Sequence, residues 1–329
     1  TPLPYIDGLD PNLPTLGTIM RDQNYTTGYF GKWHLTSTTV RMCGGGDSLP
    51  YQHDSEQPGT AAMAALFRRY GFDHSDQVGE RDGTWGGAYF DAKSARSAGD
   101  FIHANAAAQQ PWFTTVNLIN PHDIMFFKAT ERQQQTTYSQ QLSLREEPDL
   151  PGYSKNWQQP LPDNFGPGTR KALSAHEQLT RSYEYLMGEI PWDDAQAWQR
   201  YRNYYFNCLV DVDTHIGTVL DALEQSGQWD NILVIFTSDH GEMAGVHGHR
   251  GKGGIIYREA CKVPLCICYP GVKGGVETDA LVSLLDIVPT TIALTAPNLG
   301  AVASQYPHLV GQDFSAALFE PGHAGPRAD

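Results

Sequence analysis

Lys32, His34, His122, Asp239, His240, His247 and Lys252 are the side chains in this sequence whose types and settings could do chemistry on an anion. Asp239-His240 offers a carboxylate and an imidazole to a divalent cation, although an aspartate placed there equally caps a turn. The residues around the pair run Thr237-Ser238-Asp239-His240-Gly241-Glu242, then His247-Gly248-His249, Lys252 and Tyr257. So Gly-rich and imidazole-rich a stretch is unlike a packing element, and glycine lets backbone approach a ligand closely. Gly31-Lys32-Trp33-His34-Leu35 sets a compact cation, suited to a sulfate or phosphate oxygen, beside an imidazole able to move a proton. A surface lysine next to a packed aromatic is the plainer reading of so short a motif. His122, after Asn120-Pro121, gains interest only from the company it would keep.

Something must carry these groups to one place. The spacing of Leu13, Leu16, Ile19 and Met20 predicts a helix over 12–23 with Pro14 in its first turn. A strand over 26–31 follows and delivers Lys32 and His34. Residues 37–90 read as Gly-rich and irregular. A helix near 93–108 precedes a strand at 112–118 that ends at Asn120-Pro121-His122-Asp123. Residues 128–195 are polar, Gln-rich and punctuated by proline, and read as a long surface insertion near the active-site face. Apolar and aromatic residues at spacings of three and four predict a helix over 195–226, stopped by Gly227. Ile232–Phe236 is a continuous apolar run, expected of a strand covered on both faces, and it ends at Ser238-Asp239-His240. A strand over 264–269 would hold Cys266 and Cys268 as buried thiols, and a last helix lies near 286–295. This alternation predicts an α/β fold: a doubly wound, mainly parallel sheet flanked by helices. Ligands in such sheets bind beyond the carboxyl ends of the strands, where Lys32, His34, His122, Asp239 and His240 fall.

A formal charge of −14 argues against a nucleic-acid partner, yet an acidic chain still binds an anion where a few basic groups or a metal are focused in a cleft. No run approaches the roughly 18 to 20 apolar residues that span a bilayer. Thr1-Pro2-Leu3-Pro4 has neither an initiator Met nor the pattern of a signal peptide. The five cysteines leave the compartment open, periplasmic or secreted as well as cytoplasmic, and nothing specifies an oligomeric state.

Longer motifs add a resemblance. Asn24 through His34, with Gly31-Lys32-Trp33-His34 at its end, resembles the second signature of the sulfatases, in the alkaline-phosphatase superfamily. Asn117-Leu118-Ile119-Asn120-Pro121-His122-Asp123 resembles their central histidine segment. Thr237 through Lys252 to Pro270-Gly271 resembles their second metal-binding segment, and Ser283-Leu284-Leu285-Asp286-Ile287-Val288-Pro289-Thr290 the start of the helix that follows. The pieces stand in family order from about residue 12 to 320. The resemblance implies an alkaline-phosphatase-like core and hydrolysis of a small-molecule or sugar sulfate ester. Asp239 and His240 would be metal ligands, for Ca²⁺ first and Mn²⁺ or Zn²⁺ as alternatives. Lys32 and Lys252 would contact sulfate oxygens, with His247 a further substrate-side candidate. His34 would lie beside the nucleophile, and His122 would act near the bridging oxygen as acid for the departing alcohol. In the implied mechanism a formylglycine hydrate, made from Cys or Ser, attacks sulfur.

The sequence departs from the pattern at both ends. An early Asp-Asp pair and a Cys/Ser-x-Pro-x-Arg motif are missing; Cys268-Tyr269-Pro270-Gly271-Val272 ends in Val where Arg is required and comes too late. The expectation is therefore a single sulfatase-like core over 1–329, incomplete at both ends, whose nucleophile comes from a segment outside this chain. The alternatives are a phosphodiester or phosphonate monoester hydrolase of the same superfamily, and a non-catalytic anion-binding homologue.

Overall fold

A computed structural model describes residues 9–10, 12–35, 60–76, 78, 84–135, 144–166, 174–252, 254, 256–295, 305–320 and 322–327. Helix α1 (Leu16–Asp22) starts later than its apolar spacing suggests. Thr15 takes the N-cap, accepting from Thr18 N at 3.1 Å while Thr18 Oγ1 accepts from Thr15 N at 2.8 Å, so Pro14 falls before the helix. Strand β1 (Thr26–Gly31) follows. Helix α2 (Thr60–Arg69) and the two-residue β2 (His74–Ser75) occupy part of the segment expected to be irregular. Helix α3 (Gly86–Asn105) leads to β3 (Trp112–Asn117). Residues 128–195 contain helix α4 (Ser174–Met187). The long α5 (Ala195–Gln225) is capped by Asp194, which accepts from Ala197 N at 3.0 Å. Strands β4 (Val234–Thr237) and β5 (Leu265–Cys268) and helix α6 (Ile287–Thr295) complete the principal elements.

The first sheet has the order β2-β1-β3 and is parallel throughout, with Thr26 opposite Trp112 and Gly31 opposite Asn117. Gly31 has φ +101°, and a Cβ there would stand 2.0 Å from Asn117 O, so glycine lets the carboxyl ends of β1 and β3 close together. The second sheet, β4-β5, is antiparallel and separate. Among the described residues, β3 and β4 each have a strand partner on one edge only.

The helices pack on the parallel sheet through small residues. Ala95, Ala98 and Gly99 of α3 are buried, and a Cβ on Gly99 would meet Ala222 Cβ of α5 at 3.2 Å. Beneath the strand ends lies an aromatic core of Phe127, Tyr153, Trp198, Tyr201 and Tyr204, in which Phe127 stacks on Tyr204 at 4.4 Å. Two expectations fail at β4 and β5. Phe236 is 41% exposed, and Cys266 and Cys268 are exposed rather than buried. The apolar run of β4 calls for cover on both faces, and the described residues leave its Phe236 and the alternate residues of β5 open.

Candidate active site

The ends of β1 and β3 are each locked by buried groups. After β1 the lock is Trp33, 1% exposed, seated against Tyr29, Phe67 and Tyr70 with ring centroids 5.0, 5.2 and 5.0 Å away. Tyr29 Oη donates to Lys32 O at 2.5 Å. With the indole turned inward, Lys32 is left half-buried and His34 exposed.

After β3 the locks are carboxylates. Asp91 on α3 accepts from Ile119 N at 2.6 Å and Asn120 N at 2.9 Å. Asn120 Nδ2 donates to Tyr153 Oη at 2.8 Å and Asp211 Oδ2 at 3.0 Å. Asp123 accepts from Gly87 N at 3.0 Å and Ala88 N at 3.3 Å, which caps α3 with a buried carboxylate. Burial pushes the Asp123 carboxyl up to about 7 against the pull of those N–H groups, with Asp211 adding to the rise. His122 is held between these anchors, and its Nδ1 has no hydrogen-bond partner among the described residues.

After β4 stand Asp239 and His240. Asp239 Oδ1 accepts from His240 N at 2.9 Å, and His240 Nδ1 lies 3.0 Å from Gly241 O. A proton on Nδ1 shared with that carbonyl leaves the Nε2 lone pair free, 3.3 Å from Asp239 Oδ2. That separation suits two neighbouring donors on one cation, and a mixed carboxylate–imidazole set suits a divalent ion. Among the described residues no group of three or more His, Cys, Asp or Glu side chains could hold a metal ion, and Asp239 with His240 supplies two neighbouring donors.

Beyond Gly241 the chain turns back through His247 to Lys252. His247 adopts φ 54° and stacks on Tyr257 at 4.3 Å, with Asn164 Oδ1 accepting from its N at 3.3 Å. Glu242 Oε1 accepts from Gly251 N at 2.5 Å and Ala244 N at 3.2 Å, and burial raises its carboxyl. Lys252 Nζ reaches Met125 Sδ, 3.0 Å away in the turn that follows His122.

The three strand ends meet at His122. Burial first, then Lys252, Lys32, His240 and His34 in that order, push its imidazole down to about 2. The structure thus gathers Lys32, His34, His122, His240 and Lys252, with Asp239 beside His240, into one electropositive locus on a chain of net charge −14. His247 lies to one side, against Tyr257 and Asn164. The reading of the residues assigned no role to Asp91, Glu242 or Tyr183. Asp91 and Glu242 carry no spacing signal, and Tyr183 sits in a segment read as loop. Buried carboxylates that accept backbone N–H groups become visible only once the chain is folded.

The model of the sulfatase family matches residues 1–297. An uncharacterized sulfatase, YidJ, of Escherichia coli is 28% identical over 307 residues, 88% of this chain and 54% of that protein. Among solved structures, a phosphonate monoester hydrolase from Silicibacter pomeroyi superposes with a TM-score of 0.61 at 21% identity, covering 97% of this chain and 64% of its own. A protein solved in complex with its substrate D-glucosamine-2-N,6-O-disulfate superposes with a TM-score of 0.55 at 17% identity, covering 98% of this chain and 68% of its own. The chain spans about half the length of YidJ.

Proposed function

The chain belongs to the sulfatase family, and on that premise we propose that it is part of the catalytic core of a sulfate-ester hydrolase. The observation that carries the reading is the convergence of Lys252, Lys32, His240 and His34 on the imidazole of His122. A tetrahedral monoanion seated there takes compact positive charge from Lys32 and Lys252, charge that stabilises oxygens as the ester bond breaks. His122, neutral in the free site, donates a hydrogen bond toward the bridging oxygen and, once the bound anion has raised its pKa, the proton that the departing alcohol needs. His34 at the exposed rim accepts a proton as sulfate is released, and His247 contacts the alcohol portion of the substrate. Asp239 and His240 hold a divalent cation, Ca²⁺ before Mn²⁺ or Zn²⁺, which supplies Lewis-acid compensation to the sulfate oxygens when bound.

The nucleophile, a formylglycine, comes from a segment outside this chain. Among the described residues β3 and β4 each keep one edge without a strand partner, which supports its arrival as an added strand. Residues 128–195 act as an insertion on a single core, roofing the site with α4. The fold neighbour solved with a sulfated glucosamine supports a sugar sulfate as substrate. The likeness to a phosphonate monoester hydrolase, together with an imidazole at the second ligand position, supports a second reading in which the same site turns over phosphodiesters or phosphonates.

Aryl sulfate, aryl phosphodiester and aryl phosphonate turnover by the full gene product containing these residues separates the two. Dominant sulfate hydrolysis is expected, with Lys32→Ala and Lys252→Ala each lowering kcat/KM by about 10²-fold or more. Dominant phosphodiester or phosphonate turnover overturns the sulfatase reading in favour of the second.

A further inference from the structure

Lys252 is steadied from outside its own strand–loop unit. The peptide on either side of it is held by one hydroxyl on α4: Tyr183 Oη accepts from Lys252 N and donates to Lys252 O, both at 2.8 Å. The residue before it, Gly251, presses on the same ring; with φ +76°, a Cβ there would stand 2.0 Å from the Tyr183 ring, so only glycine admits the phenol at that distance. Arg250 reaches back along α4 and donates to Tyr183 O at 3.3 Å and to Gly188 O. Opposite the phenol, Glu242 accepts from Gly251 N. Arg250-Gly251-Lys252 is thus clasped between Glu242 and the C-terminal half of α4.

We propose that Tyr183 is a positioning residue of the anion site, fixing through the Lys252 peptide where the Lys252 ammonium stands relative to His122. The inference rests on the reading of Lys252 as a sulfate contact. It gives the excursion over 128–195 a part in binding, because α4 sets the strength of the anion contact without touching the anion. A phenol suits this position because a single oxygen both accepts and donates, and its ring is rigid and enclosed. Phenylalanine keeps the ring and the Gly251 contact and removes only the two hydrogen bonds.

The test is binding of inorganic sulfate, by calorimetry, to the full gene product containing these residues, for the wild type, Tyr183→Phe, Lys252→Ala and the double variant. Tyr183→Phe is expected to weaken sulfate binding by about tenfold, the scale of one or two hydrogen bonds, and Lys252→Ala by more. The double variant should bind no more weakly than Lys252→Ala alone, since Tyr183 acts only through Lys252. Tyr183→Phe should also let the His122 imidazole titrate at higher pH, and adding it to Lys252→Ala should raise that titration no further, which separates displacement of the Lys252 charge from loss of burial. In the wild type, saturating sulfate should slow exchange of the Lys252 amide proton, a readout independent of any variant's folding. Wild-type affinity in Tyr183→Phe, additive losses in the double variant, or an unchanged Lys252 exchange rate overturns the positioning role alone. No saturable sulfate binding by the wild type, or none lost in Lys252→Ala, overturns the anion-site reading and the inference with it.

Discussion

His122 stands among four basic side chains, its Nδ1 unpartnered among the described residues, and burial with that company holds it neutral far below the ordinary imidazole range. Its folded pKa lies below its unfolded one, so the unfolded chain takes the proton first. Stability from this residue is present above about pH 6.5 and is lost progressively as pH falls below that. In the free chain its Cε1–H resonance should keep its neutral position down to pH 5, then move toward the protonated position as sulfate saturates the site. Titration near 6.5 in the free protein would mean that His122 has neither the burial nor the cationic neighbours that the structure gives it. The grouping of Lys32, His34, His122, Asp239 and His240 was legible because strand-end position and residue type together mark a ligand site in an α/β sheet, whereas Lys252, 15 residues beyond the end of β4, entered through the Gly-rich stretch and the resemblance. The neutrality of His122 was not, since it comes from burial and from neighbours more than 80 residues away in sequence.

At the scale of elements, Asp123 ties the site to α3: the carboxylate that follows His122 caps the helix behind it. Removing the cap with Asp123→Ala should cost about 1–3 kcal/mol and speed amide exchange at Gly87 and Ala88; a melting temperature equal to wild type would deny the cap any role. The pH behaviour runs opposite to that of His122. The Asp123 carboxyl is raised to about 7, so its contribution is fully present below about pH 4 and is lost as pH rises through 7. Between pH 4.5 and 6.5 the two slopes oppose each other. Denaturant unfolding at those two pH values should show Asp123→Asn gaining stability with pH relative to wild type, and His122→Gln losing it. Equal slopes in all three proteins would reject both shifts. The main strands and helices were legible in outline: α5 carries a clean apolar period and β1 and β3 are short runs rich in β-branched and aromatic residues, while α3 begins at Gly86, ahead of the expected 93 and inside a stretch whose glycines read as loop. In contrast, α2 and α4 lie in Gly-rich and Gln-rich surroundings whose polar composition reads as loop, and β2, two residues long, has no period to read.

For the molecule as a whole, the informative feature is the boundary between the two sheets. Ile232–Phe236 has the composition of an interior strand, yet among the described residues β4 pairs with β5 alone, and Phe236, Cys266 and Cys268 are exposed. Pattern alone could announce that cover was needed without saying what provides it. A strand edge with unpaired backbone groups beside an exposed aromatic is a template for pairing with another chain. The 329-residue chain by itself is therefore expected to self-associate with rising concentration, seen as a growing weight-average mass in sedimentation velocity. Phe236→Lys should reduce that association, because a charge on the exposed face penalises stacking of one copy on another and leaves the β4-β5 ladder intact. A chain that stays monomeric at about 100 μM without the substitution would show that the edges of β3 and β4 are already satisfied, and would remove the room proposed for an incoming strand.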